Sequence, residues 1–179
     1  MTGTFLATAL DLPAVAALHL AASRSAYRGI LADDILDSLT LDGRLALWRA
    51  RYAALGPQGR LWIYRQDDKI AGFALADRTD DNERAAAVAE LMSFYVLPSF
   101  WGLGVGRRLM DVTIDHFAQR SFDWLILWTM RANNRARRFY ENAGFTSDGG
   151  VRLARREESG ISLEYDEMRY ARALRNHTP

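Results

Sequence analysis

Short apolar runs and longer segments with helical spacing alternate along this chain. Compact runs rich in aromatic and branched residues predict strands at residues 4–9, 60–66, 69–77, 85–96, 124–130, 146–156 and 161–170. Apolar residues at helical spacing predict a helix that begins at Asp11 and further helices at residues 33–54, 104–119 and 134–143. The mixed order predicts one three-layer α/β domain over residues 1–179.

Three alternate glycines stand between a predicted strand and a predicted helix, in residues 96–108. The strand ends at Pro98, and apolar residues recur at i, i+4 and i+7 from Val105 onward. Glycines at a helix N-terminus let backbone N–H groups close on an anion, which the helix dipole also favours. The segment therefore predicts a phosphate-binding turn. Arg107 and Arg108 either add positive charge to it or form a solvated first turn.

Composition narrows the classes of partner. A chain of 179 residues is long enough to bury a core, and a net charge of +1 argues against a nucleic-acid surface. No run reaches the about 18 apolar residues of a membrane span. We therefore expect a cytoplasmic protein that binds neither nucleic acid nor membrane. The absence of cysteine removes disulfides, thiolate metal ligands and a cysteine acyl intermediate, and no metal site is implied.

The glycine spacing distinguishes between known phosphate-binding patterns. Neither the dinucleotide pattern G-x-G-x-x-G nor the Gly-Lys-Ser/Thr ending of a P-loop is present. Gly102, Gly104 and Gly106 instead resemble the R/Q-x-x-G-x-G/A pyrophosphate loop of the GNAT superfamily of N-acetyltransferases. Trp101 departs from that pattern because it stands where the family has Arg or Gln, so one polar contact to phosphate is lost.

A second segment, residues 132–145, resembles the GNAT signature N-x-x-A-x-x-x-Y-x-x-x-G-F. Asn133 or Asn134 is a natural N-cap, Tyr140 falls on the helix that follows, and Gly144 is a natural residue just past its end. The two segments occur in the family's order with one strand-like run between them.

The resemblance extends from about residue 8 to 170 and is specific over residues 89–145. It implies a central, mostly antiparallel sheet that splays between the fourth and fifth strands, with helices on both faces. It also implies acetyl-CoA as cosubstrate and direct transfer of acetyl to a primary amine of a small molecule or peptide in a ternary complex. The cofactor-binding residues implied by position are Phe94, Tyr95, Val96, Trp101, Gly102, Leu103, Gly104, Val105, Gly106, Arg107, Asn133 and Tyr140.

Two residues carry the expected chemistry. Tyr140 stands at the position of the family's acid tyrosine, which protonates the departing thiolate, although a packing aromatic would look the same. Glu90 stands where some members carry the base. A solvated or ion-paired glutamate is the alternative, with a water chain taking the proton. Strand alternation predicts Glu90, Met92, Phe94 and Val96 on one side of the sheet.

Other residues have two interpretations each. Asn133 holds the pantetheine or pyrophosphate region, or only caps its helix. Tyr27 lines the acceptor pocket or caps the core. Arg135, Arg137 and Arg138 either contact the adenosine 3′-phosphate of the cosubstrate or form a solvated helix face. Attraction of a cationic amine or a solvated turn accounts for the acidic residues Asp77, Asp80, Asp81 and Glu83.

Two alternative functions and one question of assembly stay open. A catalytically silent acyl-CoA sensor would keep the phosphate turn but would need neither Tyr140 nor Glu90. A related enzyme would transfer another acyl group or use a hydroxyl acceptor. A homodimer is suggested by the alternating run at Ile161, Leu163 and Tyr165, which is expected at an exposed sheet edge.

Overall fold

The structure, a computed structural model, describes residues 1–79, 87–158 and 161–174. Its strands are β1 (Gly3–Leu6), β2 (Arg60–Gln66), β3 (Lys69–Thr79), β4 (Val88–Val96), β5 (Trp124–Met130), β6 (Thr146–Glu158) and β7 (Ile161–Ala173). Its α-helices are α1 (Leu12–Tyr27), α2 (Asp33–Ser38), α3 (Leu41–Ala53), α4 (Val105–Ala118) and α5 (Asn134–Asn142). The strands form one sheet in the order β1-β2-β3-β4-β5-β7-β6. The expected α/β fold is confirmed.

The sheet opens between β4 and β5, which are its parallel pair. The two strands are in register only from Val88 opposite Trp124 to Glu90 opposite Ile126. Both then continue, β4 to Val96 and β5 to Met130, without pairing with each other. The splay implied by the GNAT resemblance is therefore present, and it leaves a gap in the middle of the sheet.

Helices cover both faces of the sheet. On one face, Val15 of α1 and Trp48 of α3 are fully buried against Phe73 of β3. On the other face, Leu109 of α4 and Tyr140 of α5 pack in a second cluster. Removal of this apolar surface from water, at about 25 cal/mol per Å², holds the layers together. The gap between β4 and β5 is therefore walled by different helices on its two sides.

Several predicted boundaries differ from the structure, and two of the differences have a clear local cause. Residues 33–54 form two helices rather than one, because Thr40 caps α3 by accepting a hydrogen bond from Gly43 N at 3.1 Å. Arg24 stabilises the break by donating to the carbonyls of Leu36 and Leu39, at 3.1 and 2.9 Å. The first strand ends at Leu6 instead of residue 9, since residues 9–11 turn into a short 3₁₀ helix.

A β-bulge corrects the predicted alternation along β4. Ser93 pairs with Leu75 and Leu91 pairs with Ala76, so Met92 is an extra residue that reverses the alternation. Phe94 and Val96 pack with α4 and α5, as Leu91 does on the other side of the bulge. Glu90 therefore lies on the opposite face from Phe94 and Val96, toward α1 and α3.

The predicted sheet edge was also wrong. β7 pairs with both β5 and β6, so Leu163 lies within the sheet and is buried. The outer strand is β6, where Val151 and Leu153 are exposed. The side chain of Ile161 lies outside the described residues. A homodimer stays a prediction.

Candidate active site

The gap between β4 and β5 opens into a cleft of about 470 Å³. Two groups of residues line it from the two faces of the sheet. The first, the glycine side, comprises Gly102, Gly104, Gly106, Arg107, Asn133 and Arg135. The second, the arginine side, comprises His19, Ser23, Tyr27, Arg44, Arg51 and Ser93. Tyr140 also lines the cleft.

The glycine side has the backbone of an anion site. Gly102 and Gly104 have φ values of +75° and +81°, which side chains disfavour, and a Cβ on either would meet open space. The first helical amide of α4 with an internal partner is Arg108 N, which donates to Gly104 O at 3.1 Å. The amides of the three residues before it point out of the helix end, where they attract an anion.

Gly106 has a different reason to be glycine. A Cβ there would lie 3.1 Å from the ring of Phe139, which stacks on Phe94 with ring centroids 5.3 Å apart. The glycine therefore lets α5 and β4 close against α4. Phe94 and Phe139 both line the cleft, which places an apolar surface beside the glycine turn.

The Trp101 ring packs against the guanidinium group of Arg135. Its indole Nε1 donates to Val96 O at 2.9 Å, which fixes the ring at the end of β4. The guanidinium carbon of Arg135 lies 3.5 Å from the centre of that ring. Position 101 therefore lacks the polar side chain of the family pattern, but Arg135 of α5 places a positive charge directly over the Trp101 ring. Arg137 instead donates to the Tyr170 hydroxyl at 3.2 Å, and Arg138 is exposed.

Asn133 is the N-cap of α5, since its Oδ1 accepts from Ala136 N at 3.1 Å. The cap leaves the side-chain NH₂ group available to a ligand in the cleft. Tyr140 lies on α5 two helical turns after Asn133, and its side chain is 8% exposed. Burial, and secondarily the nearby Tyr95, raise the pKa of Tyr140 above its ordinary value, so the phenol stays protonated at neutral pH.

The arginine side is built from α1, α3 and β4. The Tyr27 hydroxyl hydrogen-bonds the Tyr95 hydroxyl at 2.8 Å, and burial raises the pKa of Tyr27. His19, one of the residues of α1 on the cleft, accepts from Trp48 Nε1 at 3.0 Å and packs on Tyr95. These contacts fix the side chains that α1 presents to the cleft.

Two arginines of α3 complete this wall. Arg51 Nη1 donates to the Ser93 hydroxyl at 2.8 Å, and its guanidinium lies 5.7 Å from the Trp48 ring centre. Arg44 is 7% exposed, one helical turn before Trp48. Sequence reasoning missed both arginines. The signal was the spacing of Arg44, Trp48 and Arg51 at i, i+4 and i+7, which puts them on one face of α3.

The structure brings most of the predicted site residues together. Those on the cleft are Tyr27, Phe94, Tyr95, Val96, Trp101, Gly102, Gly104, Gly106, Arg107, Asn133 and Tyr140. Leu103 is instead 65% exposed, and the Val105 side chain is buried in the core, so neither side chain lines the cleft.

Two carboxylates lie elsewhere than the sequence suggested. Glu90 does not line the cleft and lies at its closed end, half-buried, where β4 still pairs with β5. Asp77 is its partner on β3, and one of its oxygens accepts from Gly56 N at 2.7 Å. The Asp77 side chain thus holds the turn at Gly56 and does not line the cleft. Asp80, Asp81 and Glu83 lie outside the described residues.

The match to known proteins agrees with this geometry. The chain belongs to the acetyltransferase (GNAT) family, whose family model matches residues 24–145. It is 31% identical to an uncharacterized N-acetyltransferase of Mycobacterium tuberculosis over 113 residues, which are 61% of this chain and 67% of that protein.

Solved structures share the fold. The PaiA N-acetyltransferase of Thermoplasma acidophilum, crystallised with coenzyme A, matches with a TM-score of 0.69 and 15% identity over 94% of this chain and 98% of that one. The ribosomal-protein-alanine N-acetyltransferase of Brucella melitensis matches with a TM-score of 0.64 and 20% identity over 95% and 98%. Within the described residues, no helix has the length and apolar character to cross a membrane. The cytoplasmic location stays a prediction.

Proposed function

We propose that this protein transfers acetyl from acetyl-CoA to a primary amine by direct attack within a ternary complex. One observation carries the proposal: a single cleft runs from the anion-binding turn on one face of the sheet to a polar wall on the other. Two substrates entering from the two faces would meet in the gap. The chain has no cysteine, so an acyl intermediate on a cysteine thiol cannot form, which favours direct transfer.

Acetyl-CoA would bind on the glycine side. The turn at Gly102 and Gly104 and the first amides of α4 would hold the pyrophosphate, with Arg107 and Arg135 adding charge. The Asn133 NH₂ group would donate to the pantetheine arm. Arg107 pairs with Asp111 at 3.0 Å on an exposed helix surface, a weak interaction that a phosphate can replace.

Backbone groups of β4 would stabilise the transition state. Beyond Glu90, the edge of β4 that faces β5 has no strand partner, so its N–H groups can reach a substrate in the gap. Donors near Phe94 to Val96 would bind the carbonyl oxygen as it becomes an oxyanion. The amine nitrogen forms the C–N bond as the oxyanion develops, and the carbonyl re-forms as the C–S bond breaks and the thiolate leaves.

Tyr140 would protonate the departing thiolate. A leaving thiolate needs a donor that is still protonated at neutral pH and lies in the cleft. Tyr140 meets both conditions, because it lines the cleft and burial raises its pKa.

Glu90 would accept the proton of the amine through water. An amine with a pKa of about 10 is only about one part in a thousand neutral at pH 7, equivalent to about 4 kcal/mol, so a base speeds the reaction. The bulge at Met92 supports this role, since it turns Glu90 to the face of α1 and α3, from which the acceptor would enter.

The test is release of free thiol from acetyl-CoA with a panel of polyamines, amino acids, aminoglycosides and peptides. Mass spectrometry identifies the acetylated product, and calorimetry measures acetyl-CoA binding on the same sample. Turnover with one class of amine is the expected result. Tight binding with no transfer to any amine would favour the sensor, and absence of binding would contradict the glycine side as the cofactor site.

A further inference from the structure

In the described part of the chain, positive side chains outnumber negative ones along the cleft. Among the described residues that line it, four are arginines and one, Glu167, is a carboxylate. Arg152 binds that carboxylate through Nε at 2.7 Å and Nη2 at 2.6 Å, so the negative charge of Glu167 already has a cation. The excess positive charge of the lining favours an anionic ligand.

Phosphates of the cosubstrate account for only two of these arginines. Arg107 and Arg135 stand at the glycine turn. Arg44 and Arg51 reach the cleft from α3, on the other face of the sheet, where the acceptor would bind. Each guanidinium has five N–H donors, so beside the partners it already has it can bind a second anion, carried by the acceptor itself.

The surrounding contacts hold these guanidinium groups in place. Arg51 is fixed by its bond to the Ser93 hydroxyl and by the Trp48 ring, and Arg44 is almost completely buried. A planar guanidinium held in this way is suited to binding the two oxygens of a carboxylate.

Ser23 provides an independent observation. Its side chain is 1% exposed and lines the cleft on α1, yet its hydroxyl oxygen has no hydrogen-bond partner among the described residues. A buried hydroxyl without a partner is unfavourable unless a ligand supplies one. It lies on the same side of the cleft as the two arginines.

We propose that the acceptor amine also carries a carboxylate, as a free amino acid does, and that Arg44, Arg51 and Ser23 bind it. The inference rests on the proposed function and adds the class of acceptor. It opposes the cationic polyamine that the acidic segment suggested, because Asp77 lies outside the cleft and arginines occupy the acceptor side.

The experiment compares free amino acids with their own carboxamides, which keep the amine and remove the negative charge. Polyamines and aminoalkyl phosphates complete the panel, and thiol release gives kcat/KM for each. We expect a carboxylate acceptor to exceed its carboxamide by about 10- to 100-fold, the range of a hydrogen-bonded charge. Equal rates, or preference for a polyamine or an aminoalkyl phosphate, would overturn the inference and leave acetyl transfer standing.

Variants locate the effect. Arg51→Gln should raise KM for the amino acid and remove most of its advantage over the carboxamide, with acetyl-CoA binding unchanged. Ser23→Ala should reduce the same ratio by a smaller factor without loss of thermal stability, because its hydroxyl lacks a partner. Arg49→Gln, an exposed arginine of α3 outside the cleft, is the control. An unchanged ratio in Arg51→Gln, with folding verified by circular dichroism, would contradict the assignment.

Binding keeps the inference testable without turnover. Calorimetry titrates the same amino acids and carboxamides into the protein saturated with coenzyme A. Binding of an amino acid but not its carboxamide, lost in Arg51→Gln, supports the carboxylate site even if no amine is acetylated. Failure of every free amino acid both to bind and to react would overturn it.

Discussion

The two sides of the cleft are built in different ways. The glycine side uses consecutive residues: a turn, the first amides of α4 and the cap of α5. The arginine side uses single side chains from α1, α3 and β4, which are far apart in sequence. Under the proposed function, local backbone structure would bind the cosubstrate, and tertiary packing would bring together the side chains that bind the acceptor.

The strongest test of this comparison replaces Gly104 with valine. The residue has φ +81°, and its absent side chain leaves open space at the turn, so a valine would both strain the backbone and fill the anion position. Binding of acetyl-CoA, measured by calorimetry, should be lost while the arginine side stays intact. Gly149→Val is the control, since Gly149 has φ +88° and open space away from the cleft. Retained affinity would place the cofactor elsewhere.

Tyr140 should affect chemistry without affecting either side as a binding surface. Tyr140→Phe should lower kcat by about 100-fold or more, with little change in acetyl-CoA affinity, because it removes only the proton donor. The matched control is Tyr170→Phe. The Tyr170 ring lies 6.4 Å from that of Tyr140, but its hydroxyl donates to Glu141 at 2.8 Å rather than lining the cleft. Normal turnover in Tyr140→Phe would exclude the tyrosine as the acid.

The pH profile sharpens the same point. Burial raises the pKa of Tyr140, and a raised pKa means that the donor form persists above the usual pH of about 10. An alkaline fall in kcat below that pH should therefore not come from Tyr140.

Glu90 tests whether the arginine side also receives the proton. Glu90→Gln should lower kcat/KM at pH 7 by about 10- to 100-fold and move the rising limb of its pH profile upward, toward the pKa of the free amine. Glu164→Gln, an exposed glutamate of β7 paired with Arg155, is the control. A profile that does not move would make Glu90 structural.

Much of the fold and of the glycine side could be predicted from sequence, because the signals are local. The glycine spacing, the cap at Asn133 and the helical repeat to Tyr140 each depend on neighbours within two turns. The strand alternation was wrong at one residue, Met92, since a bulge depends on the register of β4 against β3 and leaves no pattern in β4 alone.

The arginine side could not be predicted for a related reason. The spacing of Arg44 and Arg51 places them on one face of α3, but an arginine on a helix face is more often solvated. Only the packing of α3 against α1 and the opening of β4 from β5 turn that face toward the cleft. The position of Ser23 on the cleft likewise depends on tertiary packing, here of α1 against the sheet.

The last prediction concerns the one place where the glycine side departs from its family pattern. Arg135→Gln should weaken acetyl-CoA binding by only about five- to tenfold, since the guanidinium is exposed and the backbone amides remain. Trp101→Leu should cause a similar loss, because it removes the ring on which Arg135 lies. The double variant should be no worse than either single one, as expected when one residue acts through the other.

Arg138→Gln, an exposed arginine of the same helix, is the control for loss of charge. High salt should reduce the effect of Arg135→Gln, since an exposed guanidinium and a phosphate are screened over about 10 Å at 0.1 M ionic strength. Additive losses in the double variant would mean that Trp101 and Arg135 contact the cosubstrate separately. In that case the tryptophan would be a binding surface in its own right, and the glycine side would depend on side chains as the arginine side does.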